Sequence, residues 1–599
     1  MAQKLLMGNE AIALGAIRAG VDIVTGYPGT PSSEVLETIA KYRNENTYVE
    51  WSVNEKVALE VAAGAAYTGA RTLVTMKQVG LNVASDPLMS LAYIGIKGGM
   101  VVLVADDPGP VSSQTEQDTR HFAQFAHLPV FDPSSPQEAY LLIGEAFALS
   151  EKYHTPVIFR PTTQICHACA SIDIDDFITK HPPAAFVKDP KWVIFPRLSY
   201  QNHIKICQNE QRISEEFSTA ACNQITGHGN RGIVSSGVSV AYTREVLSDT
   251  DDEAALLKLA TVHPFPEKLA LAFLKERTEV LVLEELDPVI EEALLKLCGK
   301  HQLPVKIYGK LTGHANIAGS NNYETIRASI DKFYAREGSP STAVSLPPLP
   351  VRPPVLCAGC PHRASFYSVK RALQQQKQAA VFSGDIGCYT LGNASPLDMV
   401  DTCLCMGAGI TMAQGLQRAD NSVKHIAFIG DSTFFHSGIT GIINAVYNQT
   451  DITVIIVDNS TTAMTGHQPH PGTGRTMMGS LTEKVSIEKV LAGCNVKYIK
   501  KANPLHLQTA IATVSEAVAF HGVSVVLFEA PCIALFKPKL KREVQTDRCT
   551  GCRRCIKEIG CPAISLDETG KARIDTALCY GCSLCTQVCP AKAIGGISL

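Results

Sequence analysis

The chain has 599 residues, a formal net charge of −3, 45% hydrophobic residues and 19% charged residues. That length exceeds a single core and predicts three or four domains of about 100–200 residues. The balance is ordinary for a globular protein, no basic stripe points to nucleic acid, and no run of about 18 apolar residues predicts a membrane span. The segment Met1-Ala2-Gln3-Lys4 lacks the apolar core of a secretion signal, so a cytoplasmic location is expected. Twenty cysteines without such a signal point to metal or redox chemistry, not to disulfides.

In chain order, Val21–Gly26 reads as a short strand, and Tyr27–Glu34 as a turn into a helix. Glu55–Ala70 has helical spacing, while Arg71–Thr75 and Met100–Ala105 are continuous apolar runs, as in strands buried on both faces. This alternation predicts a doubly wound parallel sheet over 1–185. Residues 186–230 are polar and show no period. A second α/β pattern starts at Gly232–Gly237, includes Val280–Glu285 and closes near Phe333, giving a domain over 186–335. The Pro-rich stretch 336–354 reads as an extended linker. A third α/β unit over 355–540 contains the strands His425–Ile429 and Thr453–Val457. A short cysteine-dense unit, 541–599, completes the chain. The fold class expected is α/β, three doubly wound domains with a small cysteine-dense C-terminal domain.

That last unit carries Cys549, Cys552, Cys555 and Cys561-Pro562, then Cys579, Cys582, Cys585 and Cys589-Pro590. Three thiolates two residues apart wrap one face of a [4Fe–4S] cube, and the fourth ligand comes from the other run. One cluster is thus assigned Cys549, Cys552, Cys555 and Cys589, the other Cys579, Cys582, Cys585 and Cys561. Zinc prefers two separated pairs. The gap before Cys561 is longer than usual, which lengthens a loop without removing the ligand.

In the third unit, Gly430-Asp431-Ser432-Thr433 follows a buried strand, and Asn459 lies 28 residues after Asp431, again at a strand end. Asp431 and the Asn459 amide offer two hard ligands to Mg²⁺, and a carbonyl near Thr461 a third. The glycine admits a phosphate, and the helix start favours its charge. The pattern resembles the diphosphate motif of thiamine-diphosphate enzymes. In the first unit, Val53–Gly64 resembles the helix that carries the glutamate these enzymes set against the aminopyrimidine ring. Glu55 is the candidate activating acid, with Glu60 as its rival.

Taken with Tyr27–Pro31, Asn54–Lys56, Cys357–His362, Gly384–Tyr389 and Ala463–Gly466, the chain resembles the large α subunit of the indolepyruvate:ferredoxin oxidoreductases, within the 2-oxoacid:ferredoxin oxidoreductase superfamily. The resemblance implies a pyrimidine domain (1–185), a transketolase C-terminal-like domain (186–335), a diphosphate and Mg²⁺ domain (355–540) and a ferredoxin domain (541–599). It implies a third [4Fe–4S] cluster on Cys357, Cys360, Cys388 and Cys532, and cofactor contacts from Gly387, Tyr389 and Met464. Thr30 resembles the family's substrate-contacting threonine, with a helix N-cap as its equal alternative. Arg120 is a candidate for the substrate carboxylate, although a surface position is the expectation for it. His467 and His470 are candidates for the thiazolium side, or ordinary loop histidines. The Cys166/Cys169 pair resembles half a zinc site without a partner pair. The implied activity is coenzyme A-dependent oxidative decarboxylation of aryl 2-oxoacids, indolepyruvate to indoleacetyl-CoA and carbon dioxide. A small β subunit and external ferredoxin are the implied partners, in an (αβ)2 assembly. A sibling enzyme for pyruvate or branched 2-oxoacids, and an electron-transfer subunit without thiamine chemistry, are the alternatives.

Overall fold

A computed structural model describes residues 2–175, 179, 185–250, 254–336, 349–350, 353–538 and 540–598. The chain forms two compact units, 1–345 and 346–599. Most of the Pro-rich linker expected at 336–354 lies outside the described residues.

The first unit is built on two open sheets. The larger has seven strands in the order Thr261–His263, Val130–Phe131, Val157–Phe159, Met100–Ala105, Thr72–Lys77, Ile23–Gly26, Tyr48–Trp51. All neighbours pair in parallel except Thr261–His263, which runs antiparallel to Val130–Phe131. That edge strand comes from the segment assigned to a separate second domain, so the chain returns to complete the first sheet. Met100–Ala105 is buried at every residue, as its unbroken apolar run requires when helices cover both faces. The second sheet has five strands ordered Lys306–Tyr308, Glu279–Leu283, Arg231–Ser236, Ala255–Leu259, Gln224–Thr226.

Residues 186–230, read as irregular, contain a helix of 22 residues, Pro196–Phe217. Only Ile213 and Phe217 are buried along it. Its packed side mixes the polar residues Asn202, Asn209, Glu210 and Ser214 with Ile206, Ile213 and Phe217, which weakens the apolar period that marks a helix in sequence.

Arg120 departs most from expectation. It is neither a surface residue nor open to a substrate carboxylate: it is fully buried, at 0% exposure. Its Nη2 donates to Asp118 Oδ2 at 2.6 Å and its Nη1 to Glu284 Oε2 at 2.6 Å. The carbonyls of Glu285 and Asp287 take further N–H groups. Arg160, equally buried, pairs with Asp106 at 2.6 Å and Asp132 at 3.2 Å. Arg120 ties the carboxyl ends of the two sheets together, Arg160 holds the loops of the larger sheet, and desolvation makes each dependent on its carboxylates.

Glu285 borders this network, and burial pushes its carboxyl up to about 7 from 4.5. The folded state therefore holds a proton there that the unfolded chain has released. The stability this gives is complete below about pH 4.5 and is lost as pH rises to about 7. Glu285→Gln is expected to stabilise the protein by up to about 3 kcal/mol near pH 8 and to change little near pH 4.5, read by thermal denaturation at both values.

The second unit is built on one sheet of five parallel strands: Ala380–Ser383, Lys424–Gly430, Thr453–Asp458, Ser524–Glu529, Tyr498–Ala502. Two antiparallel pairs form the tail, Leu540–Val544 with Ile594–Ser598 and Ile564–Leu566 with Ala572–Ile574. Its small core includes the cysteines themselves: Cys555, Cys579 and Cys585 are buried with Ile559, Leu584 and Val588.

Candidate functional site

In an open parallel sheet the loops at the carboxyl ends of the strands form the binding edge. Four adjacent strands of the second unit deliver polar and thiol groups there. After Ala380–Ser383 come Asp385 and Cys388, after Lys424–Gly430 comes Asp431, after Thr453–Asp458 comes Asn459, and after Ser524–Glu529 comes Cys532. Cys357 and Cys360 precede the helix Pro361–Gln376, which starts at the same edge before running back to Ala380. Topology thus gathers four cysteines spread over 176 positions, from 357 to 532.

Asp431 is 3% exposed and its carboxylate is held on both oxygens. Oδ1 accepts the Ser432 N–H at 2.8 Å, and Oδ2 accepts the Ser460 N–H at 2.8 Å and faces His470 Nε2 at 3.1 Å. Burial alone would raise its pKa, but the hydrogen bond and charge of His470 hold it below the carboxylate range. Asp458, beside it, is pushed up to about 7 by burial and by the charge of Asp431. Two carboxylates that crowd each other suit a cation of hard-ligand preference. Asn459 is buried, its Oδ1 accepts the Thr461 N–H at 3.2 Å and its Nδ2 faces His362 Nε2 at 3.2 Å. His362 is buried and held neutral, its pKa lowered to about 4 by desolvation, so its ring nitrogen accepts from the amide.

The turn glycines have a different reason from the one read in the sequence. A Cβ on Gly430 would come within 2.5 Å of the Tyr389 ring, and so would one on Gly387. Tyr389 is buried, and its hydroxyl donates to the Ile386 carbonyl at 2.8 Å and meets Thr433 Oγ1 at 2.9 Å. The ring is a wedge under the Gly430–Asp431 turn. Ser432 Oγ pairs with Thr462 Oγ1 at 2.9 Å. Thr461 is buried beside Asn459, whereas Met464 is 52% exposed and His467 is exposed. Asp385 is buried and accepts N–H groups from Ile386, Gly407 and Gly409 at 2.7–2.9 Å, which fixes the loop that carries Cys388.

The tail cysteines surround two cavities. One is lined by Cys549, Cys552, Cys555 and Cys589, the other by Cys561, Cys579, Cys582 and Cys585. This is the grouping that the crossed-ligand spacing predicts. Cys360, Cys388 and Cys532 each lie within electrostatic reach of Cys357, which makes a third set. Burial and neighbouring cysteines push thiols up to about 12 at Cys360 and Cys585 and to about 11 at Cys388 and Cys555. Such thiols ionise together only with a compensating cation, which an iron cluster provides. Among the described residues no three His, Cys, Asp or Glu side chains converge on a single ion. Cysteines spaced around a cavity suit a cube of iron and sulfide, not one tetrahedral zinc. The sets form a series: Cys360 of the third set lines the Cys561–Cys585 cavity, and Cys555 lies within electrostatic reach of Cys585. Cys532 is also tied to the cation site, because its N–H donates to the Asn459 carbonyl at 2.9 Å. Cys166 is buried and Cys169 exposed, so that pair does not converge.

In the first unit, Glu55 opens the helix Glu55–Thr68 after the edge strand, with Asn54 accepting the Val57 N–H as cap. Its side chain is 6% exposed. A Cβ on Gly80 would stand 2.6 Å from Glu55 Oε1 and 2.8 Å from its Cγ, so only glycine leaves room for this carboxylate. Gly80→Ala is expected to dislodge Glu55 and lower turnover about tenfold or more without unfolding, checked by steady-state rates beside a thermal melt. Lys77 lies in the field of Glu55 and Asp107, and burial lowers its pKa. Thr30 is half-buried in the neighbouring strand-end loop, and its carbonyl accepts from Ser112 Oγ at 3.1 Å. The helix cap there is Ser32, so Thr30 is not the cap. The space at Gly80, the His362–Asn459 contact and the His470–Asp431 contact leave no mark in the local sequence, since each depends on a neighbour from another element.

Comparison with known proteins agrees with this geometry. Residues 14–189 match the family described as pyruvate flavodoxin/ferredoxin oxidoreductase, thiamine diP-binding. Residues 385–528 match the thiamine pyrophosphate enzyme C-terminal TPP binding domain, and 572–595 a 4Fe-4S binding domain. The indolepyruvate oxidoreductase subunit IorA of Archaeoglobus fulgidus is 41% identical, covering 98% of this chain and 97% of its own length. The subunit of the same name from Methanothermobacter thermautotrophicus is 40% identical, covering 98% and 96%. That from Pyrococcus horikoshii is 38% identical, again over 98% and 96%. With such identity sustained along nearly all of its length, the chain belongs to the indolepyruvate oxidoreductase IorA family, within the thiamine-dependent 2-oxoacid:ferredoxin oxidoreductases.

Proposed function

We propose that the chain is the large subunit of a coenzyme A-dependent indolepyruvate:ferredoxin oxidoreductase. The reaction converts an aryl 2-oxoacid and coenzyme A to an acyl-CoA and carbon dioxide, and two electrons leave for ferredoxin. The observation that carries this reading is the shared edge of one sheet, where the Cys532 N–H is bonded to the carbonyl of Asn459. A cation and diphosphate site and a cysteine set built that close suit chemistry whose electrons are removed where they are released.

Asp431, Asn459 and a carbonyl near Thr461 would hold Mg²⁺ and through it the diphosphate. Bound thiamine diphosphate supplies the electron sink that lets a 2-oxoacid lose carbon dioxide. Glu55 holds the proton that the aminopyrimidine ring exchanges, and Gly80 leaves that carboxyl its room. His470 and the Ser432 and Ser460 amides orient Asp431, and His362 orients the Asn459 amide. Thr30 is the candidate contact to substrate. The three cysteine sets would hold three [4Fe–4S] clusters, whose chemistry is the transfer of single electrons. Arg120 has no substrate role in this reading, because Asp118 and Glu284 occupy it. A small β subunit completes an (αβ)2 enzyme in the cytoplasm.

Reduction of methyl viologen by the assembled enzyme tests the substrate. Indolepyruvate and phenylpyruvate are expected to support it strongly, dependent on coenzyme A, and pyruvate weakly. Activity confined to pyruvate would overturn the aryl assignment. No reduction with any 2-oxoacid would favour the electron-transfer-only reading.

A further inference from the structure

Arg363 has no part in the scheme so far, yet it stands between two of the cysteine sets. It lies in the first turn of Pro361–Gln376, three residues after Cys360, and is 4% exposed. Among the described residues its hydrogen bonds go to carbonyls alone. Nη1 donates to Ile559 at 2.7 Å and to Gly560 at 2.9 Å, and Nη2 donates to Leu356 at 2.5 Å. Its Nε is buried and has no partner among the described residues. Arg363 lines the cavity of Cys561, Cys579, Cys582 and Cys585 together with Cys360. The groups that favour its charge are Cys561 and Cys582 of that set and Cys360 and Cys357 of the neighbouring one.

A buried guanidinium needs a counter-ion, and a buried N–H needs an acceptor. Arg120 and Arg160, equally buried, each have carboxylates. Around Arg363 the anionic candidates are thiolates on either side of it. We propose that Arg363 is a positioning residue for electron transfer, a buried cation shared by the Cys357–Cys360–Cys388–Cys532 cluster and the Cys561–Cys579–Cys582–Cys585 cluster, with its Nε–H as the donor available to a cluster sulfur. This rests on the cluster reading given under Proposed function. A thiolate-bound cluster gains negative charge when reduced, so a fixed cation and a donor to sulfur stabilise the reduced form and raise the potential. One cation between two clusters keeps their potentials moving together, which favours the hop between them.

The alternative is a strut, since the same side chain ties Leu356 to the tail carbonyls of Ile559 and Gly560. The test compares assembled wild-type enzyme with Arg363→Gln, Arg363→Lys and Arg542→Gln. Arg542 also lines the Cys561–Cys585 cavity, from the tail strand Leu540–Val544, and donates its Nη2 to Ser583 Oγ at 2.5 Å. The readouts are iron per chain and redox titration followed by electron paramagnetic resonance. Arg363→Gln with its iron retained is expected to shift two clusters to lower potential and to slow substrate-driven viologen reduction about tenfold. Arg363→Lys, which keeps the charge, is expected to recover most of the shift, and Arg542→Gln to move one cluster only. If Arg363→Gln loses iron while Arg363→Lys retains it at wild-type potentials, the charge is what the clusters require and the proposal stands. Full iron with unshifted potentials in Arg363→Gln, or equal iron loss in both Arg363 variants, would overturn it. Wild-type iron near eight atoms per chain instead of about twelve would remove the first cluster and the reading beneath it. The shift at the remaining cluster would still report on Arg363.

Discussion

Glu55→Gln is expected to lower kcat by about a hundredfold to ten-thousandfold, with iron content and melting temperature unchanged. The side chain is buried at the start of its helix, packed against Gly80 and in the field of Lys77. Glutamine has the same shape, so the Asn54 cap and the contact with Gly80 survive. What is lost is the exchangeable proton. Glu60, the rival in the sequence, is exposed and ion-paired with Lys56 one turn away, where such pairs contribute little. Glu60→Gln is therefore expected to leave kcat within about twofold. Steady-state viologen reduction on both variants separates the two carboxylates. Full turnover in Glu55→Gln, or a collapse in Glu60→Gln, would reverse their roles.

The second large effect is expected at Cys388. Cys388→Ser removes the thiolate that the Asp385 loop presents to Cys357, Cys360 and Cys532. Iron is expected to fall from about twelve to about eight atoms per chain, and viologen reduction by substrate to drop to background. The tail clusters are expected to keep their spectroscopic signals, because their ligands come from residues 549–589 and from separate cavities. Unchanged iron in Cys388→Ser would show that Cys388 holds no cluster. The thiol's raised pKa would then be that of a buried cysteine alone.

The sequence by itself determined everything that depends on short spacing. The three tail cysteines of each run, two residues apart, lie together whatever surrounds them, and the crossed-ligand rule of two-cluster ferredoxins supplies the fourth cysteine of each group from the other run. The unbroken apolar runs Met100–Ala105 and Thr453–Val457 had to be strands covered on both faces, and Glu55–Ala70 read as a helix from its spacing. The tertiary structure alone decided what depends on parallel order. Adjacent strands of one sheet carry Cys388, Asp431, Asn459 and Cys532 to one edge, although they are far apart along the chain. Parallel strands are joined by crossovers of about a dozen residues or more, so groups brought side by side at the sheet edge are distant in sequence. For the same reason Arg120, ringed by polar residues and read as surface, lies at the buried junction of two sheets. The glycine before Asp431 likewise answers to a tyrosine ring 41 positions upstream. A residue's type limits what it can do, but its burial and its opposite number are set by packing, which no local pattern encodes.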